Sequence, residues 1–167
     1  MAGKEEIYTL FRAVGEPDLE ARREAELALA AIGPSAIPEI IAALEESQAT
    51  MRWYLARAIA RMGVASVDPV IEAIRSSGDP DVRRYLTGSL ASLGEPGIPH
   101  LIRHLADDDV NVRGAIALAL CRIGEPAIPA LSEAADGDDP FLRTCAELVL
   151  FRMGEEGIIA LFPDEEG

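Results

Sequence analysis

The chain has 167 residues, 49% of them apolar, and a formal net charge of −14. That is enough apolar material for one continuous core, and too little length for two ordinary domains. The charge favours solubility and argues against non-specific binding to nucleic acid or to an anionic membrane. No apolar run is long enough to span a bilayer, and the opening MAGKEEIYTL lacks the pattern of a signal peptide. Cys121 and Cys145 have no metal-ligand spacing. They read as ordinary thiols of a reducing, cytoplasmic compartment.

Residues 1–17 come first. Ile7, Leu10, Phe11 and Val14 form a helical stripe with Tyr8 at its flank. This segment is expected to be an N-terminal cap helix.

A repeat then governs the chain. Arg22, Arg52, Arg83, Arg113 and Arg143 recur at steps of 30, 31, 30 and 30 residues. Each is followed eleven residues later by a glycine: Gly33, Gly63, Gly94, Gly124 and Gly154. Pro38, Pro69, Pro99 and Pro129 come next, and Ile159 stands where a fifth proline would be. The one extra residue lies within Val64–Asp68. A period of about thirty residues without strand signals reads as a stack of helical hairpins.

Each unit parses into two helices. The first begins near the proline, which suits an opening helical turn. These helices are expected at Ile37–Leu44, Val67–Ile74, Ile98–Leu105 and Ile128–Ala135. Polar turns follow, in which Asp and Ser suit N-capping. The second helices start near Glu20, Thr50, Asp81, Asn111 and Phe141 and end at the glycine. Ile158, Ile159, Leu161 and Phe162 are expected to form a truncated sixth first helix. Pro163 would stop it ahead of an acidic tail. The whole is expected to be a single solenoid over 1–167, with caps at 1–17 and 158–167.

The stretch from Asp109 to Pro129, DVNVRGAIALALCRIGEPAIP, states the motif most fully. Asp stands four residues before Arg, and Ile-Gly precedes a later Ile-Pro. Recurring in register five times, this pattern resembles HEAT repeats, in the short form named after phycobiliprotein lyases. The resemblance implies an all-α, right-handed α-solenoid of about five HEAT-like helical hairpins. It also implies that the second helices line the concave surface, and that an Asp–Arg ladder ties one repeat to the next. Asp18, Asp79, Asp109 and Asp139 precede four of the recurrent arginines, and Gln48 replaces Asp in the second repeat. These arginines are read as structural.

Laid out at about 100° per residue, each second helix has an apolar side at −1, +3, +6, +7 and +10 from the recurrent Arg. Offsets −2, +1, +2, +5 and +9 face the other way, into the inferred groove. That strip collects Trp53, Tyr54, Arg57, Arg61, Arg84, Tyr85, Arg122 and Arg152. Aromatic rings beside arginines are the composition of a binding hot spot. The guanidinium fork suits carboxylate or phosphate and stacks on rings. Arg61, Arg122 and Arg152 also share an offset near the helix C-terminus, where a cation is favoured by the helix dipole.

The functional expectation is a non-catalytic protein-interaction or scaffold module that binds an acidic or mixed protein or peptide. It would act as a monomer or an end-to-end dimer, with no cofactor. The alternative is a HEAT-like accessory enzyme, of the bilin-lyase type or resembling a DNA alkyl-base glycosylase. For the latter, Asp81 beside Arg84, Tyr85 and Trp53 is the only echo. The iron-binding hydroxylases of this fold carry His-Glu pairs, and this chain has no His-Glu dipeptide. His100 and His104 have metal-compatible spacing but no third ligand nearby, so they read as a solvated face. Asp107, Asp108 and Asp109 lack the spacing of a calcium loop. No catalytic or metal residue is assigned.

Overall fold

The computed structural model describes residues 4–161, with side chains placed from 5 to 154. Ten α-helices occupy the described chain. They are α1 (Lys4–Gly15), α2 (Leu19–Ile32), α3 (Ile37–Glu46), α4 (Ala49–Arg61) and α5 (Val67–Ser76). They continue as α6 (Pro80–Ala91), α7 (Ile98–Arg103), α8 (Val110–Ile123), α9 (Ile128–Ala135) and α10 (Pro140–Leu161). No strand is present among the described residues. The protein is an all-α solenoid. The second helices α2, α4, α6, α8 and α10 pack consecutively in one layer. The first helices form the other layer, with α3 on α5 and α7 on α9.

The register of the repeat sets this layering. Of the five predicted core positions in α8, Val112, Ile116, Ala119 and Leu120 are fully buried and Ile123 is half-buried. Their counterparts Leu55, Ile59, Leu86 and Leu90 are buried as well. One hydrophobic cluster runs from Ile7 to Val149. Burying each such Leu or Ile contributes about 1.5–3 kcal/mol. Helix α1 adds Ile7, Phe11 and Val14 to the cluster and leaves Tyr8 exposed.

Four of the five hairpins are closed by the same two residues. Asp18, Asp79, Asp109 and Asp139 accept hydrogen bonds from the first free N–H groups of the following helix, at 2.8–3.2 Å. One turn later the recurrent arginine reaches back to carbonyl oxygens in or just before the preceding turn. Arg83 Nη1 donates to Ser77 at 2.7 Å, Arg113 Nη1 to Asp107 at 2.6 Å, and Arg143 Nη2 to Gly137 at 2.8 Å. Arg22 does the same to Glu16. The residues expected to join repeats therefore mostly lock their own turn. Arg52 is the exception: besides Leu44 and Glu45 carbonyls it reaches Asp79 of the next repeat at 3.0 Å. Gln48 makes no side-chain cap on α4.

Two expectations are corrected. Four of the five periodic glycines, Gly33, Gly63, Gly94 and Gly124, take positive φ and turn the chain. Short 3₁₀ segments follow them, at Pro34–Ala36, Gly63–Ser66, Glu95–Gly97 and Glu125–Ala127. Gly154 does not turn: α10 runs straight through it to Leu161. Ile159 in place of the proline retains its N–H and leaves the helical ladder unbroken. A separate sixth first helix is therefore absent between Gly154 and Leu161. Phe162, Pro163 and the acidic tail lie outside the described residues, as do the side chains of Ile158, Ile159 and Leu161.

Candidate binding groove

The groove offsets are exposed or half-buried in nearly every case. Of these positions, only Ala115 is buried. The centre of the strip is an open hollow of about 310 Å³ across α4, α6 and α8. Trp53 and Arg57 come from α4, Arg84, Tyr85 and Gly88 from α6, Ser92 from the C-cap of α6, and Arg122 from α8. Five of the eight expected site residues meet here.

Trp53 is 47% exposed. Its ring stands edge-on to Tyr54, with centroids 4.8 Å apart, and the Arg57 guanidinium lies 4.3 Å from its centroid. Arg84 lies 5.3 Å from the centroid of Tyr85. Such stacks hold a guanidinium in place with its edge still free to bind. Arg84 also pairs with Asp81 one turn away at 3.1 Å, both side chains being exposed. Arg122 reaches over Gly88: a Cβ there would lie 3.9 Å from its Nη1. Ser89 and Ser92 donate their hydroxyls to the carbonyls of Leu86 and Gly88 in their own helix.

The other three expected residues lie elsewhere. Tyr54 is half-buried against the core and buttresses Trp53, with Arg22 5.8 Å from its centroid. Arg152 lies in a separate hollow between α8 and α10, with Val110, Cys145 and Leu148. Arg61 is turned toward α2, and the reason is a residue outside the predicted strip. Glu26 of α2 is fully buried, and its Oε1 takes Arg57 Nε at 3.3 Å together with Arg61 Nε. Its Oε2 has no hydrogen-bond partner among the described residues.

A buried carboxylate needs its countercharge, so Arg57 and Arg61 are held to the body of the protein. The signal for Glu26 was available in the sequence. It is an acid between the core residues Ala25 and Leu29, at the offset where the next two repeats carry Ala56 and Thr87. Offset +4 belongs to neither the core set nor the groove set, because it faces the adjoining repeat.

The histidines are paired on the outer layer. His104 Nε2 lies 3.2 Å from Asp68 Oδ1, and His100 contacts Arg103. No group of three or more metal-ligating side chains occurs among the described residues. Asp107 accepts both terminal nitrogens of Arg75 at 2.9 Å and the Asp109 N–H. The Arg75 hydrogen bonds are the main reason its carboxyl is held below the ordinary aspartate range. The Asp107–Asp109 run therefore serves the hairpin. No single helix is long and apolar enough to cross a membrane, among the residues searched.

A family profile for HEAT repeats matches residues 67–150, half of the sequence. The chain belongs to the HEAT-repeat family. The HEAT match starts at the first helix of one hairpin and ends within the second helix of the last, so its phase agrees with the helices. Among solved structures, the complex of CpcE and CpcF of phycocyanin lyase from Nostoc sp. PCC7120 aligns at 21% identity. Its TM-score is 0.44, over 89% of this chain and 99% of that one. An engineered protein aligns at 19% identity with TM-score 0.31, covering 97% and 90%. A second engineered protein gives 22% and 0.32, covering 89% of this HEAT chain and 48% of its own. Comparison with curated proteins gives no match.

Proposed function

We propose that this HEAT-repeat chain is a non-catalytic interaction module whose second-helix layer grips a protein or peptide with acidic groups. The observation that carries this reading is the hollow over α4, α6 and α8, walled by Trp53 and Tyr85 and rimmed by Arg84 and Arg122. A half-exposed indole, fixed by an edge-on tyrosine and a stacked guanidinium, loses little freedom on binding. That is the quality of an anchor. An acidic body with cations gathered at one hollow also steers an acidic segment to that place alone.

Within this reading the expected residues carry unequal weight. Arg57 and Arg61 are counter-ions of Glu26 and contribute rigidity, whereas Arg84 and Arg122 face the ligand. Asp81, the acid a glycosylase-like reading would use, is an exposed partner of Arg84. It lacks the burial that tunes a carboxyl for proton transfer. The charge fits a cytoplasmic setting, which we include in the proposal.

The test is affinity capture on the wild-type chain and on Trp53→Ala, with the captured protein then purified and titrated. We expect Trp53→Ala to weaken binding by about thirtyfold, as loss of a hot-spot ring does. The thermal midpoint should hold within about 2 °C. A large fall in stability would show the indole to be core. Sedimentation over a range of concentrations decides between a monomer and an end-to-end dimer. The latter would use the exposed Leu148 and Phe151 of α10.

A further inference from the structure

The hollow has a counterpart elsewhere in the same molecule. Between the first and second repeats, offset +4 of one helix faces offsets +5 and +9 of the next. There the three positions are Glu26, Arg57 and Arg61, a carboxylate between two guanidiniums. Between the second and third repeats the same positions are Ala56, Gly88 and Ser92, and all three line the hollow. The hollow is thus the space that an internal ion cluster occupies one repeat earlier.

Arg122 sits at offset +9 of the fourth repeat, the equivalent of Arg61. Its register partner at offset +4 of the third repeat is Thr87 in place of an acid. The Thr87 hydroxyl donates to the Arg83 carbonyl at 2.8 Å. Arg122 makes no hydrogen bond or ion pair with the described residues. It extends instead over Gly88 to the rim of the hollow.

Resting on the interaction reading above, we propose that the partner supplies the missing acid. One Asp or Glu side chain enters the hollow and takes Arg122 as its counter-ion. An adjoining apolar side chain of the partner packs on Trp53 and Tyr85. Size and charge favour one carboxylate over a phosphate or a run of acids. The hollow has about 310 Å³, the low end for a ligand site. Arg57 is shared with Glu26, and Arg84 with Asp81. Both serine hydroxyls already donate to backbone carbonyls, so neither is left to donate to the additional oxygens of a phosphate. The net charge of −14 opposes a polyanion further.

The experiment uses short labelled synthetic peptides that pair one Leu or Trp with one Asp at every spacing up to a helical turn. Twin peptides carry Asn or phosphoserine at the Asp position. Binding is titrated on the full chain, on Arg122→Gln and on Trp53→Ala, with circular dichroism confirming each fold. We expect the best Asp peptide to bind about tenfold or more tightly than its Asn twin, the scale of a charge-assisted hydrogen bond. It should also outbind the phosphoserine twin. Arg122→Gln should erase the preference for Asp over Asn, and Trp53→Ala should weaken both.

Equal binding of Asp and Asn peptides, or stronger binding of phosphoserine, overturns the single-carboxylate inference. The groove reading survives that result if Trp53→Ala still weakens the peptides. If no peptide binds, or neither substitution matters, both readings fall.

Discussion

The junction between the first two repeats and the junction between the next two are built on one register, yet one is filled and the other open. The filled junction buries Glu26 beneath Arg57 and Arg61. The open one has Ala56, Gly88 and Ser92, with Arg122 at its rim. The lesson is that a solenoid can convert an internal contact into a binding position by shrinking three side chains. The backbone need not change, because the apolar columns beneath carry the stacking at both junctions.

The largest effect is expected where the filled junction is broken. Arg57→Ala combined with Arg61→Ala leaves Glu26 buried without a countercharge. Urea denaturation should show a loss of about 3 kcal/mol, at the lower end for a broken buried pair because both guanidiniums are partly exposed. Adding Glu26→Leu to that variant should restore most of the loss. A double variant as stable as the wild type would show that the cluster does not hold this junction.

Arg122, at the rim of the open junction, can instead be neutralised from the junction that follows. Thr87→Glu places a carboxylate at the position equivalent to Glu26, within reach of Arg122. It should weaken an acidic ligand by about tenfold, through competition for one charge-assisted contact. Undiminished binding in this variant would mean that Arg122 is not the ligand's counter-ion.

A smaller pair of effects separates the inner repeats from the last. Gly124 has φ +79°, whereas Gly154 lies inside α10. Gly124→Ala should cost about 1–3 kcal/mol, because its φ of +79° with ψ of −141° is a backbone conformation open essentially to glycine alone. Gly154→Ala should stabilise by about 0.5–1 kcal/mol through helix propensity. The same substitution at two positions thirty residues apart should shift the thermal midpoint in opposite directions.

The smallest effect concerns acid. Asp107 is held below its usual range, chiefly by Arg75, and Asp79 chiefly by the Asp81 N–H and then Arg52. A carboxyl depressed in the folded state adds stability that is complete above the unfolded value, about pH 4. That stability is lost as pH falls through the lower folded value. Asp107→Asn should therefore flatten the stability curve below about pH 4 and leave its shape at neutral pH unchanged.

The sequence by itself determined the repeat, the phase of its helices and the face each helix buries. Arg, Gly and Pro return at a fixed spacing, and the apolar period between them leaves one way to stack. It also placed Trp53, Arg57, Arg84, Tyr85 and Arg122 on one strip. Only the tertiary structure decided which guanidiniums are spent and which are free. Glu26 lies 35 residues from Arg61, and a helical wheel drawn one helix at a time cannot bring them together. The same holds for Arg52 with Asp79 and for Arg75 with Asp107, pairs made across repeats. Local periodicity fixes direction. Neutralisation of charge depends on what the next helix presents, and that exists only once the helices are packed.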